Sequence, residues 1–235
     1  GHWPPDDPAW RHVTINELSR IQLAERGIAA TTIYNTVDVD GPPGRRRLTR
    51  RRLGLDRGTL LVLQPTRAIP RKNVPAGISV AERLGAAYWL TGPAEDGYGP
   101  TLSVLLGQAS CPVLRRVPPE LSMADAYAAA DVVVFPSTWE GFGNPVLEAA
   151  VARRPLVVAD YPVLDELRRY GFGWFRVEDL EPLRGFLRRP DRSLHAHNAA
   201  LARRHFAPAT LDSQLGALLH ELLVDRIPNT PTVTL

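Results

Sequence analysis

The stretch Asp131–Ala152 has the sequence DVVVFPSTWEGFGNPVLEAAVA. Its apolar run, Val132–Pro136, is rich in β-branched residues, which predicts a strand buried on both faces. A glycine-rich turn follows, and the spacing of apolar residues over Pro145–Arg153 then predicts a helix. Backbone N–H groups at a turn that opens a helix can receive oxygen-rich, anionic ligands. The order of strand, glycine turn and helix therefore predicts a ligand-binding edge of a parallel sheet.

Two glutamates flank this turn. Glu140 precedes the glycines and Glu148 follows them, so the two carboxylates stand on either side of the turn. Carboxylate oxygens are hydrogen-bond acceptors that suit sugar hydroxyl groups. Combined with N–H groups that suit phosphate, they predict a site for a phosphorylated sugar compound.

The chain around this stretch alternates regularly between apolar runs and helical patterns. The predicted strands are Leu60–Pro65, Ala87–Thr91, Val113–Val117, Val132–Pro136, Leu156–Ala159 and Trp174–Val177. The predicted helices between them are Arg45–Leu53, Val74–Leu84, Thr101–Ala109, Ser122–Ala130, Pro145–Arg153 and Val163–Tyr170. Such alternation predicts a doubly wound, Rossmann-like parallel sheet, in which ligands bind beyond the carboxyl ends of the strands.

The two ends of the chain have a different pattern. Residues 1–10 are rich in proline and aspartate and are expected to be irregular. A strand end at Val13–Asn16, a helix over Glu17–Arg26 and a strand over Thr31–Asn35 then lead into a Gly/Pro-rich linker. Three more helices are predicted near the C-terminus, over Leu180–Arg188, Ser193–His205 and Leu211–Val224, before a tail without structure. We therefore divide the chain into residues 1–40, a nucleotide-sugar-binding core over 41–205, and a C-terminal helix and flexible tail over 206–235.

Two further loops follow predicted strands. Arg67 and Lys72 follow Leu60–Pro65 and could clamp a diphosphate and offset negative charge that develops on it, although loop cations are commonly solvated. Gly92 follows Ala87–Thr91 and permits a tight turn or the close approach of a ligand. Both loops are expected at the same sheet edge as Glu140.

Together, the three loops resemble the carboxyl-terminal, donor-binding domain of family 4 retaining glycosyltransferases, which have the two-domain GT-B fold. Glu140 and Glu148 match that family's Glu-x7-Glu motif, and Arg67 and Lys72 match its Arg-x4-Lys pair. The segment Asn35–Asp38 is similar to the family's interdomain segment. The resemblance covers roughly residues 12–223.

The resemblance implies a role for each matching residue. Glu140 would contact hydroxyls of the donor sugar, Glu148 would contact the ribose, and Arg67 and Lys72 would stabilise the departing nucleoside diphosphate. The implied catalytic residues are Arg67, Lys72 and Glu140, and the implied donor-binding residues are Gly92, Arg116, Val117, Gly141, Phe142, Gly143, Asn144 and Glu148.

Structural roles remain open for three of these residues. Glu148 could be an exposed helix carboxylate, and Glu140 could be an anion favoured by the helix dipole. Asn144 could cap the helix that follows it.

The chemistry implied by the resemblance is sugar transfer with retained anomeric configuration. The family uses a nucleoside diphosphate sugar as co-substrate and needs no metal and no cofactor. This differs from glycoside hydrolases, in which an acid and a nucleophile flank the reacting bond. The histidines are scattered, and we expect His195 and His197 to lie on a solvated helix surface rather than to bind a metal.

The charge balance gives no reason to expect a nucleic-acid partner. The net charge is +3, from 28 basic and 25 acidic residues, and Lys72 is the single lysine, so the arginine excess is attributed to genome composition. The basic run Arg45–Arg52 is expected to form one solvated helix, because no aromatic residues are interleaved with it.

Composition also bears on location. No apolar run approaches about 20 residues, so no membrane span is expected. The single cysteine, Cys111, fits a reducing compartment, and we expect a cytoplasmic protein.

Enzymes of the family carry an additional N-terminal domain, which supplies the acceptor pocket. We expect the present sequence to be a domain separated from a longer protein, and the alternative is a half-protein that works with a partner chain. The acceptor is unknown, and contact with a membrane surface would come only from parts outside this sequence. In a domain separated from the rest of the protein, helix Leu211–Val224 would expose an apolar face. Two other functions stay open: a non-catalytic nucleotide-sugar-binding or interaction module, and a nucleotide-sugar epimerase of the same fold.

Overall fold

The computed structural model describes residues 3–7 and 10–224. Its strands are β1 (His12–Thr14), β2 (Ala30–Thr32), β3 (Leu61–Gln64), β4 (Ala87–Leu90), β5 (Val113–Arg115), β6 (Val132–Phe135), β7 (Leu156–Val158) and β8 (Phe175–Arg176). Its α-helices are α1 (Glu17–Ala24), α2 (Arg46–Arg52), α3 (Val74–Leu84), α4 (Gly99–Gln108), α5 (Met123–Ala129), α6 (Asn144–Val151), α7 (Leu164–Arg169), α8 (Glu181–Arg188), α9 (Arg192–His205) and α10 (Pro208–Val224).

The central sheet has six parallel strands in the order β5-β4-β3-β6-β7-β8. This confirms the predicted doubly wound, Rossmann-like sheet. The strand order reverses between β3 and β6, where Leu63 is paired in register with Val133. The loops that leave these two strands therefore begin side by side. In open α/β sheets this switch point is where ligands bind.

Helices cover both faces of the sheet, which explains why the strands are continuously apolar. Neighbouring residues of β4 show this directly, since Trp89 packs into one buried cluster and Tyr88 into the other. The first cluster receives Leu147 of α6 and Leu167 of α7, and the second receives Ile78 of α3. Burial on both faces holds β3 and β6 rigidly and fixes where their loops begin.

The N-terminal segment forms a separate two-stranded parallel sheet, β1-β2, with α1. The buried carboxylate of Glu166, in α7, ties it to the central domain. That carboxylate accepts hydrogen bonds from the backbone N–H groups of Glu17 at 2.7 Å and Leu18 at 2.9 Å. These are unsatisfied donors in the first turn of α1, so an anion from the central domain caps this helix.

The basic run 45–52 forms a helix that is solvated only in part, since Arg45, Arg47, Arg51 and Arg52 are exposed as predicted but Arg46 and Arg50 are not. Arg46 donates to the carbonyl oxygens of residues 128–130 and pairs with Asp131. Arg50 is buried and also pairs with Asp131, at 3.1 Å. These arginines bind the exposed carbonyl end of α5, because guanidinium groups offer several donors in one plane.

Several boundaries differ from prediction. Helix α4 begins at Gly99, just before Pro100, and α10 begins at Pro208, and the first turn of a helix tolerates each proline. A 3₁₀ turn over Pro70–Lys72 was not predicted. The apolar face predicted on the last helix is present, with Leu219 58% and Leu223 66% exposed. The predicted unstructured tail lies outside the described residues.

Candidate functional site

The centre of the site is an ion pair between the loop after β3 and the loop after β6. The Lys72 ammonium nitrogen lies 2.5 Å from Oε1 of Glu140, and Arg71 Nη1 lies 2.8 Å from Oε2 of the same carboxylate. Lys72 is 8% exposed and Glu140 is 6% exposed. Both carboxylate oxygens therefore face cations in a largely water-free position.

Local backbone structure holds Lys72 in place. The 3₁₀ turn Pro70–Lys72 begins with a proline, and it ends at Asn73, which has a left-handed conformation with φ of 49°. The buried side chain of Gln64 donates to the carbonyl oxygen of Lys72 at 2.9 Å. The N–H of Thr138 donates to the carbonyl oxygen of Arg71 at 2.9 Å, which joins the two loops directly.

Burial lowers the pKa of Lys72, and the hydrogen bond and charge of Glu140 oppose that shift. An ammonium group carries three N–H donors, and Glu140 occupies one of them. Lys72 can therefore keep its contact with Glu140 and still donate to a phosphate oxygen.

The glycine turn between Glu140 and α6 presents N–H groups that have no acceptor among the described residues. The carbonyl oxygen of Gly141 accepts from Asn16 Nδ2 at 2.6 Å, and that of Phe142 accepts from the Tyr161 hydroxyl at 3.2 Å. The N–H groups of Gly141, Phe142 and Gly143 donate to no protein atom in the described part of the chain. Carbonyls held inward with free N–H groups beside them are typical of an anion-binding turn.

Gly143 is required at its position. Its φ is +114°, and a Cβ built there would lie 2.2 Å from the Tyr161 hydroxyl oxygen. Gly143 is also the N-cap residue of α6, and Asn144 is the first helical residue. The predicted N-cap role of Asn144 is therefore wrong, because the positive φ needed for the turn falls on the glycine. The Asn144 amide instead accepts from Asn35 Nδ2 at 2.9 Å.

Glu148 lies one turn into α6 and lines a cleft of about 620 Å³ between residues 36–44, α5 and α6. The buried hydroxyl of Tyr127 donates to its carboxylate. Burial and the neighbouring carboxylate raise the pKa of Tyr127, so the phenol remains a donor. Glu148 is therefore a fixed acceptor in a cleft, not an exposed helix carboxylate.

The other predicted site residues are less closely engaged. Arg67 pairs with Glu95 at 2.6 Å, and both side chains are largely exposed. The backbone of Gly92 packs against the backbone of Thr66 and Arg67, and a Cβ at this position would lie 2.4 Å from the Thr66 carbonyl oxygen. This close approach accounts for the glycine without a ligand.

Arg116 and Val117 follow β5, on the outer side of β4. Arg116 has φ of 58° and an exposed side chain, and its carbonyl oxygen accepts from Trp89 Nε1 at 2.7 Å. Val117 is half-buried against the core. Within the described residues, no hydrogen bond or ion pair joins either residue to the Lys72–Glu140 pair.

Sequence reasoning missed four residues at this site. Arg71 and Trp139 immediately precede Lys72 and Glu140, and the Arg71 guanidinium carbon lies 5.6 Å from the centroid of the exposed Trp139 ring. Asn16 holds the turn at Gly141, and Tyr127 holds Glu148. Adjacency to the motif residues was an available signal for Arg71 and Trp139, whereas Asn16 and Tyr127 are distant in sequence.

No group of three or more histidine, cysteine, aspartate or glutamate side chains that could hold a metal ion occurs within residues 3–7 and 10–224. The predicted solvation of the two histidines in α9 is wrong for His195, which is half-buried against Phe186 with ring centroids 5.3 Å apart. No helix in the described part of the chain has the length and apolar character needed to cross a membrane.

Comparison with known proteins identifies a domain in the chain. Residues 78–183 match the model for glycosyl transferases group 1. Mannosylglucosylglycerate synthase of Thermotoga maritima is 29% identical in an alignment of 191 residues that covers 69% of this chain and 45% of the relative. D-inositol 3-phosphate glycosyltransferase of Geodermatophilus obscurus is 32% identical in an alignment of 210 residues that covers 81% of this chain and 44% of the relative. The chain thus spans less than half the length of these curated relatives.

The fold is similar to solved structures as well. HepE of Anabaena, solved in a complex with UDP and glucose, superposes with a TM-score of 0.74 at 20% identity, covering 89% of this chain and 62% of HepE. The chain carries a glycosyl transferases group 1 domain with the GT-B fold.

Proposed function

We propose that this chain is the donor-binding half of a retaining glycosyltransferase, which transfers a sugar from a nucleoside diphosphate sugar to an acceptor. One observation carries the proposal. The buried Lys72–Glu140 pair lies at the strand-order switch point, next to a glycine turn whose N–H groups have no acceptor in the part of the chain that the structure describes. That combination offers cations and N–H donors for a diphosphate beside a carboxylate for sugar hydroxyls.

The relatives support this choice of ligand. The curated relatives are named as sugar-transferring enzymes, and HepE was solved with UDP and glucose. In this chain, Glu148 is the acceptor we assign to the ribose hydroxyls, because it lines the cleft beside the glycine turn. Lys72, Arg67 and the turn N–H groups are assigned to the diphosphate, and Glu140 to the donor sugar.

The residues fit a same-face substitution that retains the anomeric configuration. As the bond between the sugar and the diphosphate breaks, negative charge grows on the departing phosphate. Lys72 and Arg67 stabilise that charge, and a phosphate oxygen accepts the proton of the incoming acceptor hydroxyl. Glu140 is unsuited to act as a nucleophile, because Lys72 and Arg71 already engage both of its oxygens.

The rest of the proposal concerns parts beyond this chain. An N-terminal domain, in the same protein or in a partner chain, would supply the acceptor pocket, so this chain alone would bind donor without transferring sugar. We further propose that no metal and no cofactor is needed and that the protein acts in the cytoplasm. The charge needed for the diphosphate is available from arginine and lysine side chains.

A thermal-shift screen tests the proposal. The chain is melted with UDP, GDP and ADP and with their glucose, mannose and N-acetylglucosamine conjugates. A ligand that binds only the folded state raises the apparent melting temperature. Stabilisation by one nucleotide series supports the donor-binding assignment and identifies the base. No shift with any nucleotide, for this chain and for the longer protein alike, would favour a non-catalytic interaction module.

A further inference from the structure

The cleft that Glu148 lines continues along α6, away from the glycine turn. It runs past Val151 and Ala152 to Arg153 and Arg154, which follow the helix. Four helical residues span roughly 6 Å, so the far end of the cleft lies about one turn beyond Glu148. Its total volume of about 620 Å³ is within the range of small-molecule sites.

The walls of this far end are apolar. Met123 and Ala128 of α5 face Val151 and Ala152 of α6 across it. The linker above supplies Gly41, Pro42, Pro43 and Gly44, which offer little side-chain volume to fill the space. The linker also cannot sink deeper, because a Cβ on Gly44 would already lie 2.0 Å from the Ala124 carbonyl oxygen. The space is therefore a built feature of the fold.

Arg154 lines the far end and has an unpartnered donor. Its Nε is buried and has no hydrogen-bond partner among the residues that the structure describes. Its backbone N–H donates to the Ala149 carbonyl oxygen at 2.9 Å, which fixes the residue at the end of α6. A buried guanidinium nitrogen without an acceptor is unfavourable, so an acceptor is expected to complete the site.

Nearby acidic groups do not supply that acceptor. Asp131 is the acidic residue that favours the charged form of Arg154, but its two carboxylate oxygens already accept from Arg46 and Arg50. Arg153 adds another cation, and its φ of 53° places a non-glycine residue in the left-handed region just after α6. The cleft is thus lined by two cations, Arg153 and Arg154, which follow α6, and by two anions, Asp38 in the linker and Glu148 in α6.

We infer that this end of the cleft binds an organic anion, whose apolar body fills the space between α5 and α6 and whose phosphate or carboxylate meets Arg154 and Arg153. Lys72 and Glu140 do not line the cleft, but Glu148, which we assign to the donor ribose, does. The inferred anion site therefore adjoins the proposed nucleotide-sugar site, and it rests on Arg153, Arg154 and the apolar walls and not on the identity of the donor.

Phenylphosphate is a suitable probe, because it joins one aromatic ring to one phosphate. Calorimetric titration compares the wild-type chain with Arg154→Gln, which removes the charge, and with Ala152→Phe, which fills the cleft and keeps Arg154. Arg188→Gln is the matched control, because Arg188 is exposed at the end of α8 on the other face of the sheet. We expect both cleft variants to weaken binding by about tenfold or more, which is the loss of one charge-assisted contact, and the control to bind as wild type does.

Any of three results would overturn the inference. The first is wild-type-like affinity in Ala152→Phe, a variant that stays informative if Arg154→Gln fails to fold. The second is binding that disappears in Lys72→Ala but survives in Arg154→Gln, which would place the phosphate at the nucleotide site. Absence of saturable binding of phenylphosphate to the wild-type chain would also contradict it.

Discussion

The ammonium group of Lys72 and the carboxylate of Glu140 lie 2.5 Å apart, although 68 residues separate them in sequence. The contact depends on the pairing of β3 with β6, which sets the two loops side by side at the switch point of the sheet. The pair is buried, so each charge compensates the other in a position where water cannot.

Removing one member of this pair should destabilise the domain. We expect Lys72→Ala to lower the free energy of unfolding by about 3 kcal/mol, because it leaves a buried carboxylate with Arg71 as its remaining partner. The measurement is denaturant unfolding, and Arg67→Ala is the control. Arg67 also pairs with a glutamate, but both side chains are exposed, so its loss should cost at most about 1 kcal/mol. Equal effects of the two substitutions would contradict the burial argument.

Glu148 should contribute to nucleotide binding without contributing to the charged centre. Glu148→Gln is expected to weaken calorimetric nucleotide affinity by about 1–3 kcal/mol, the usual effect of losing a charged hydrogen-bond partner. Tyr127→Phe tests the orientation of that carboxylate, since it removes the donor and leaves the charge. We expect Tyr127→Phe to lose less nucleotide affinity than Glu148→Gln does. Unchanged nucleotide affinity in Glu148→Gln would contradict the assignment of Glu148 to the ribose hydroxyls.

Gly92 should be needed for packing. The Cβ added by Gly92→Ala would lie 2.4 Å from the Thr66 carbonyl oxygen, so this substitution must displace the loop that carries Arg67. We expect a loss of about 2 kcal/mol in unfolding free energy, as in overpacked cores. Gly107→Ala is the contrasting variant, because nothing lies within 4 Å of a Cβ in that helical position. It should stabilise the domain by about 0.5 kcal/mol.

Asp125 should make the domain sensitive to acid. The Arg45 guanidinium and hydrogen bonds from Ser122 hold the pKa of this buried carboxyl below its ordinary value of 3.8. Its stabilising contribution is therefore complete above that value and is lost as the pH falls below it. Asp125→Asn should lower the unfolding free energy at neutral pH by about 2 kcal/mol and flatten its decline below about pH 4. An identical acid profile in the two proteins would contradict this assignment.

The fold was predictable because its signals are local. Continuous apolar strands such as Val132–Phe135 and the helices between them require burial on both sides, and the parallel sheet follows from that alternation. The position of Glu140 was predictable for the same reason, since it follows a strand at the carboxyl edge. That the Lys72 and Glu140 loops lie at the same edge was expected, whereas the pairing of β3 with β6, which brings them into contact, was not predicted.

The wrong predictions concern residues whose contacts are with residues distant in sequence. Nothing near Arg46 and Arg50 reveals that they bind the end of α5, about 80 residues away. Likewise, the choice of Gly143 over Asn144 as N-cap depends on Tyr161, whose hydroxyl occupies the space that a side chain would need. Such tertiary contacts override local propensity, so single-sequence patterns cannot give them.

The most direct test of the central claim is calorimetric titration of the stabilising nucleoside diphosphate into the wild-type chain and into Lys72→Ala, at a temperature where both are folded. We expect saturable one-site binding to wild type and a loss of about 1–3 kcal/mol in the variant, because the diphosphate loses its buried cation. Equal affinity in the two proteins would show that the nucleotide does not bind at the Lys72–Glu140 edge, and would contradict the proposed function of this site.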